Sequence, residues 1–102
     1  MFTEHWREIR HFYTYLLGAQ VVSEREYRYT DLLVGGMPIC FRTCENGEHI
    51  SHFHLYFALL NRQPIIERLQ QAGIILRLDG TYASFLDPEG RTIKLSKGGT
   101  VQ

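Results

Sequence analysis

The sequence predicts an α+β fold in which one small module is used twice. Two observations carry this expectation. A helical segment closed by a glycine and followed by three short β-type runs occurs from Thr3, and again from Pro64. In the second copy an apolar run, Ile50 to Leu59, precedes the helix and completes a βαβββ order. The chain has 102 residues, 44% hydrophobic and 13% aromatic, which suits a single packed domain of two layers.

Each element has a local reason. Over Thr3 to Leu17, the residues Trp6, Ile9, Phe12, Tyr13, Leu16 and Leu17 recur at steps of three and four and make one apolar helix face. Thr3 is placed to cap this helix and Gly18 to end it. Ala19 to Arg28 and Tyr29 to Val34 read as strands, and Gly35-Gly36 as a hairpin turn. Met37 to Cys44 alternates, with Ile39, Phe41 and Thr43 on one face and Pro38, Cys40, Arg42 and Cys44 on the other. Asn46-Gly47 closes this half.

In the second half Pro64 suits a first helical turn, Ile65, Ile66, Leu69 and Ala72 share a face, and Gly73 ends the helix. Ile74 to Leu78 and Thr81 to Leu86 are strands joined by Asp79-Gly80, a strong hairpin signal. Asp87-Pro88-Glu89-Gly90 fits a type I turn, and Arg91 to Ser96 forms the last strand. The tail from Lys97 is expected to fray. Residues 1–47 are therefore a module lacking its first strand, and 48–97 a complete one.

Composition narrows the partners. Eleven Lys and Arg balance eleven Asp and Glu, so no basic excess points to nucleic acid. No apolar run approaches the roughly 20 residues of a membrane span. Glu4, His5, Arg7 and Glu8 are foreign to a signal peptide, so a cytoplasmic protein is expected. Cys40 and Cys44 are four strand residues apart, about 13 Å. That exceeds the roughly 7 Å that a disulfide tolerates, so two reduced thiols are expected.

Three segments together resemble the vicinal oxygen chelate superfamily, the group of glyoxalase I, bleomycin resistance proteins and extradiol dioxygenases. They are Phe12-Tyr13-x-x-Leu16-Leu17-Gly18, the helix end Ala72-Gly73, and the run from Asp79-Gly80-Thr81-Tyr82 through Asp87-Pro88-Glu89-Gly90-Arg91 to Ile93-x-Leu95. The resemblance spans Phe12 to Ser96. It implies paired βαβββ modules whose curled sheets surround a ligand cavity, with the first strand of the first module missing here. It also implies a homodimer. A second copy, or residues upstream of Met1, is expected to supply the missing strand.

In metal-using members, His and Glu ligands on the first and last strand of each module hold a divalent ion that acts as a Lewis acid. The resemblance carries those places onto Cys40, His54 and Lys94 of this chain, with the fourth falling on the missing strand. Only His54 matches in chemistry, and a Lys94 ammonium would repel a divalent cation. No cofactor is therefore expected. A divalent metal remains an alternative, with His52 and His54 as its weak candidates because residues two apart share a strand face.

The residues expected to touch ligand are His54, Lys94, Cys40, Arg42 and Tyr56. Lys94 shares a face with Thr92 and Ser96 and suits an anionic or oxygen-rich group. Arg42 shares the face of Cys40, and Tyr56 that of His54; Tyr82 offers a further ring for stacking. Cys40 is a minor candidate for a nucleophile beside His54. The expected function is metal-independent binding of a small organic molecule, of the resistance or sequestration type. The alternatives are a metal-dependent lyase, isomerase or dioxygenase, and a degenerate module that serves dimerisation.

Overall fold

The computed structural model describes residues 1–97. The elements, in chain order, are β1 (Phe2–Thr3), α1 (Trp6–His11) continued by a π-helical segment (Phe12–Leu16), β2 (Gln20–Arg25), β3 (Tyr29–Val34) and β4 (Met37–Thr43). Then follow β5 (Leu55–Leu59), α2 (Gln63–Gln71), β6 (Arg77–Leu78), β7 (Tyr82–Leu86) and β8 (Thr92–Lys97). They form two four-stranded mixed sheets of identical plan, β1-β4-β3-β2 and β5-β8-β7-β6. In each, the first strand runs parallel to the last and the other pairings are antiparallel. The fold is the expected α+β pair of βαβββ modules, and the two sheets remain separate rather than closing on each other.

Four sequence expectations need correction. The first strand of the first module is present as a remnant: Phe2 and Thr3 pair with Arg42 and Thr43. Two residues suffice because distant groups hold them. The Cys44 amide donates to the Thr3 carbonyl, the Ser51 amide to the Phe2 carbonyl, and the Phe2 amide to the Ser51 hydroxyl. The first helix starts at Trp6, and Thr3 is not its cap. From Phe12 it widens to π geometry, and it ends at Gly18 in a left-handed residue, with the Ala19 amide reaching back to the Tyr13 carbonyl at 2.9 Å.

The fifth strand begins at Leu55, not Ile50. Its parallel partner opens at Thr92, and Leu55 pairs with Ile93, so the backbone before it has almost no ladder to join. Ser51 is instead tied to Phe2, and the stretch containing His52 and His54 is coil. The tail expected to fray lies outside the described residues except for Lys97, which belongs to β8.

One core serves both modules. Phe12, Tyr13 and Leu16 from the first helix meet Phe41, Phe57, Leu69, Phe85 and Ile93 in a single buried cluster. Besides Ser51 on Phe2 and Arg68 on the Leu16 carbonyl, the polar link between modules is the β7–β8 turn. Arg91 has no exposed side-chain surface. Its Nη1 lies 3.0 Å from Asp87 and 2.9 Å from Glu89, and its Nη2 donates to the Phe2 carbonyl at 2.6 Å. The guanidinium also rests 5.0 Å from the Phe41 ring centroid. Tyr13 donates its hydroxyl proton to Asp87 at 2.8 Å.

Glu89 completes the clasp. Its carboxylate accepts from the Thr3 hydroxyl at 2.6 Å and from the Glu4 and His5 amides at 2.8 and 3.2 Å. The helix that lacks a cap of its own is thus capped by a carboxylate from the other module. Burial pushes the Glu89 carboxyl up, but its hydrogen bonds from Thr3, Glu4, His5 and Arg91 outweigh this and hold it below the usual Glu value. Burial, reinforced by Asp87, pushes the Tyr13 phenol far up, so it stays a donor.

Two consequences follow for stability. Tyr13→Phe leaves Asp87 one donor short in a buried site and should cost about 1–3 kcal/mol in urea unfolding; an unchanged midpoint would contradict the clasp. Glu89 has a depressed folded-state pKa, so its contribution is present above its unfolded value near ~4.3 and fades as pH falls through the folded value. Unfolding free energy should therefore drop as the medium is acidified below about pH 4.3, and Glu89→Gln should be less stable at neutral pH with a flatter acid limb.

Candidate functional site

With the core faces of both sheets covered, the remaining chemistry lies on their outer faces. On the second sheet, pairing places Tyr56, Lys94, Ser84 and Arg77 in one row across four strands. Alternation sends Ile93 and Leu95 into the core and Lys94 the other way. The Lys94 ammonium lies 5.7 Å from the Tyr56 ring centroid and 5.6 Å from that of Tyr82. The two rings are themselves 5.7 Å apart and meet edge to face. A cation is therefore held between two phenols, with the Ser84 and Ser96 hydroxyls as cross-strand neighbours of Lys94 and Tyr82.

Asp79 sits beside this group. Its carboxyl is held below the ordinary aspartate value first by the Tyr82 amide, against some burial, and further by Thr81 and by the Lys94 charge. The same carboxylate shapes the hairpin, accepting from the Thr81 and Tyr82 amides at 3.0 and 2.7 Å.

On the first sheet, Cys40 and Arg42 share the outer face of β4, as alternation predicts. Arg42 is exposed, and its guanidinium stacks over the Tyr29 ring at 5.9 Å. Cys40 is paired with Asp31 across the ladder. Burial, followed by a hydrogen bond to Asp31, pushes its thiol up, so the sulfur is a proton donor and a poor nucleophile. Cys44 is pushed up as well, by burial and then by the Glu4 charge, and both cysteines are free.

Four of the five sequence-predicted ligand residues fall into two groups, and His54 joins neither. Lys94 and Tyr56 come together on the second sheet, joined by Tyr82. Cys40 and Arg42 stand on the first. His54 and His52 are exposed in the coil that precedes β5, so the shared strand face expected for them does not form. Ser84, Asp79 and Asp31 were not foreseen. Asp31 had a signal: it shares the parity of Tyr29 and Leu33, which makes it a charge in an otherwise apolar alternation.

A divalent ion does not fit the residues at the places where the fold family would hold one. Lys94 brings an ammonium, and Cys40 and Lys94 stand on different sheets. Among the described residues no three of His, Cys, Asp and Glu are grouped for a metal.

No family model matches the sequence, and no curated protein does. Solved structures do match. Lactoylglutathione lyase from Agrobacterium tumefaciens is 11% identical, with a TM-score of 0.73 over 94% of this chain and 87% of its own. A possible glyoxalase from Bacillus cereus is 16% identical, with a TM-score of 0.71 over 94% and 92%. The fosfomycin resistance protein FosX from Listeria monocytogenes, complexed with Mn(II) and sulfate, is 16% identical, with a TM-score of 0.69 over 96% and 85%. At these identities the likeness is one of fold, and it runs through both modules from end to end. The chain has the fold of the vicinal oxygen chelate superfamily.

Proposed function

We propose that the protein binds a small organic molecule with an anionic or oxygen-rich group, without a resident metal, in the manner of a resistance or sequestration protein. The observation that carries this reading is the Lys94 ammonium set between Tyr56 and Tyr82 on the outer face of the second sheet. An ammonium offers a point charge to an oxyanion, and the phenols offer donors and flat apolar surface to whatever carries it. Binding, not turnover, is the economical reading of such a group. The resemblance carries the place of a metal-binding carboxylate onto Lys94, and on this reading the cation there is the protein's own.

The reading includes a homodimer. This part rests on the family resemblance, which implies a homodimer. A second reading, a metal-dependent lyase, isomerase or dioxygenase using His54, is favoured by one comparison, the Mn(II) in the FosX complex.

Thermal unfolding with phenylphosphonate and benzoate as probes, with elemental analysis of the purified protein, separates the two. The binding reading expects a stabilisation that approaches about 2.7 kcal/mol at 100 times the dissociation constant. It should vanish in Lys94→Ala, with metal below stoichiometric amounts. A stoichiometric transition metal that is lost in His54→Ala would sink it. Sedimentation should give a dimer at micromolar protein; a well-folded chain that remains a monomer throughout would refute the paired arrangement.

A further inference from the structure

We infer that the outer face of the first sheet is a binding site for a small apolar molecule bearing one ammonium group. The site is made by first-sheet residues alone and does not depend on the Lys94 group. It starts from an anomaly of patterning. A sheet face turned away from the core ordinarily carries polar side chains. Here β3 turns Leu33 outward together with Asp31, and β4 turns Pro38 outward together with Cys40.

A bulge adds to this surface. The β2–β3 pairing steps from Val21 with Leu32 to Ser23 with Asp31, which leaves Val22 without a partner. The extra residue is 61% exposed and stands at the rim of the same face. Bulges re-aim side chains in this way beside functional sites. The outcome is an open concavity of about 420 Å³ whose lining includes Val22, Asp31, Leu33, Pro38 and Cys40, with Leu32 and Ile39 of the core face at its floor. That volume suits a molecule of about ten carbon atoms, at the small end of ligand pockets.

Charge decides which molecule. Asp31 is half-buried in this apolar lining, and no cation pairs with it among the described residues. Its side-chain partner is the Cys40 thiol, a weak donor that keeps its proton. Arg42, two residues along β4, is turned onto the Tyr29 ring instead. The Met1 α-ammonium donates to the Cys40 carbonyl at 2.6 Å and, with Arg42, acts on the Cys40 thiol, but neither forms an ion pair with Asp31. A carboxylate partly removed from water without a direct ion-pair partner is costly. An ammonium brought in on an apolar body repairs that deficit and covers Val22, Leu33 and Pro38 at once. An anion of the same shape meets repulsion, and a neutral isostere leaves the carboxylate desolvated and unpaired.

The test is calorimetric titration of the full chain with 1-aminoadamantane (as its ammonium), 1-adamantanol and adamantane-1-carboxylate. The ammonium should bind saturably, once per chain, and roughly tenfold or more tighter than the alcohol, as a charged hydrogen bond allows. Asp31→Asn should bring the ammonium down to the affinity of the alcohol. Amide NMR shifts on the unaltered protein give a readout that needs no variant, and they should concentrate at Val22, Asp31, Leu33 and Cys40. Equal affinity for ammonium and carboxylate, no saturable binding, shifts centred on the second sheet, or a folded Asp31→Asn that keeps the preference would each overturn the site.

Discussion

Everything in this molecule hangs on one buried cation. Arg91 reaches from the second module to the first: Asp87 and Glu89 of its own turn hold it on one side, and the Phe2 carbonyl and the Phe41 ring of the first module on the other. A lone guanidinium with no exposed surface would be intolerable, and two carboxylates with a backbone acceptor make it tenable. Among the described residues its Nε has no hydrogen-bond partner, a residual desolvation cost. Removing Arg91 would strand two acids in the interior, so the group stands or falls as a unit. Through Glu89 it also supplies the cap that the first helix lacks, and through Phe2 it steadies a strand of only two residues.

This clasp has a consequence for the rest of the surface. Because the modules are joined through their cores and through one turn, neither sheet spends its outer face on the other. Each outer face then carries its own chemistry. The second presents a cation between phenols, and the first an unpaired carboxylate on an apolar shelf. The two are complementary in charge. The outer faces offer side-chain charges of both signs, and the neutral net charge of the chain conceals that separation.

The legible parts of the sequence were those whose causes are local. The Asp87–Gly90 turn closes on its own hydrogen bond, from the Gly90 amide to the Asp87 carbonyl, and was readable from four residues. The second helix declared itself through Pro64, its apolar face and Gly73. Strand parity correctly put Cys40 with Arg42; the meeting of Lys94 and Tyr56 comes from the parallel β5–β8 pairing, which parity does not fix. What could not be read was set by partners far along the chain. Phe2–Thr3 is a strand because Ser51 and Arg91 hold it, 49 and 89 residues from Phe2. His52 and His54 are coil because β8 opens too late to pair with them. Parity also ranks residues within a sheet without saying which sheets face each other, so one expected cavity resolved into two groups. Asp31 went unmarked because an acid in a strand is ordinarily a solvated one; its apolar surroundings come from the bulge at Val22.

The central claim is that Lys94 does the anchoring that a metal does in relatives of this fold. A crystal structure of the protein with phenylphosphonate tests it most directly. The account predicts a phosphonate oxygen within hydrogen-bond reach of the Lys94 ammonium, with the phenyl ring against Tyr56 or Tyr82. A phosphonate bound through a metal ion ligated by His54, with Lys94 turned away, would contradict it.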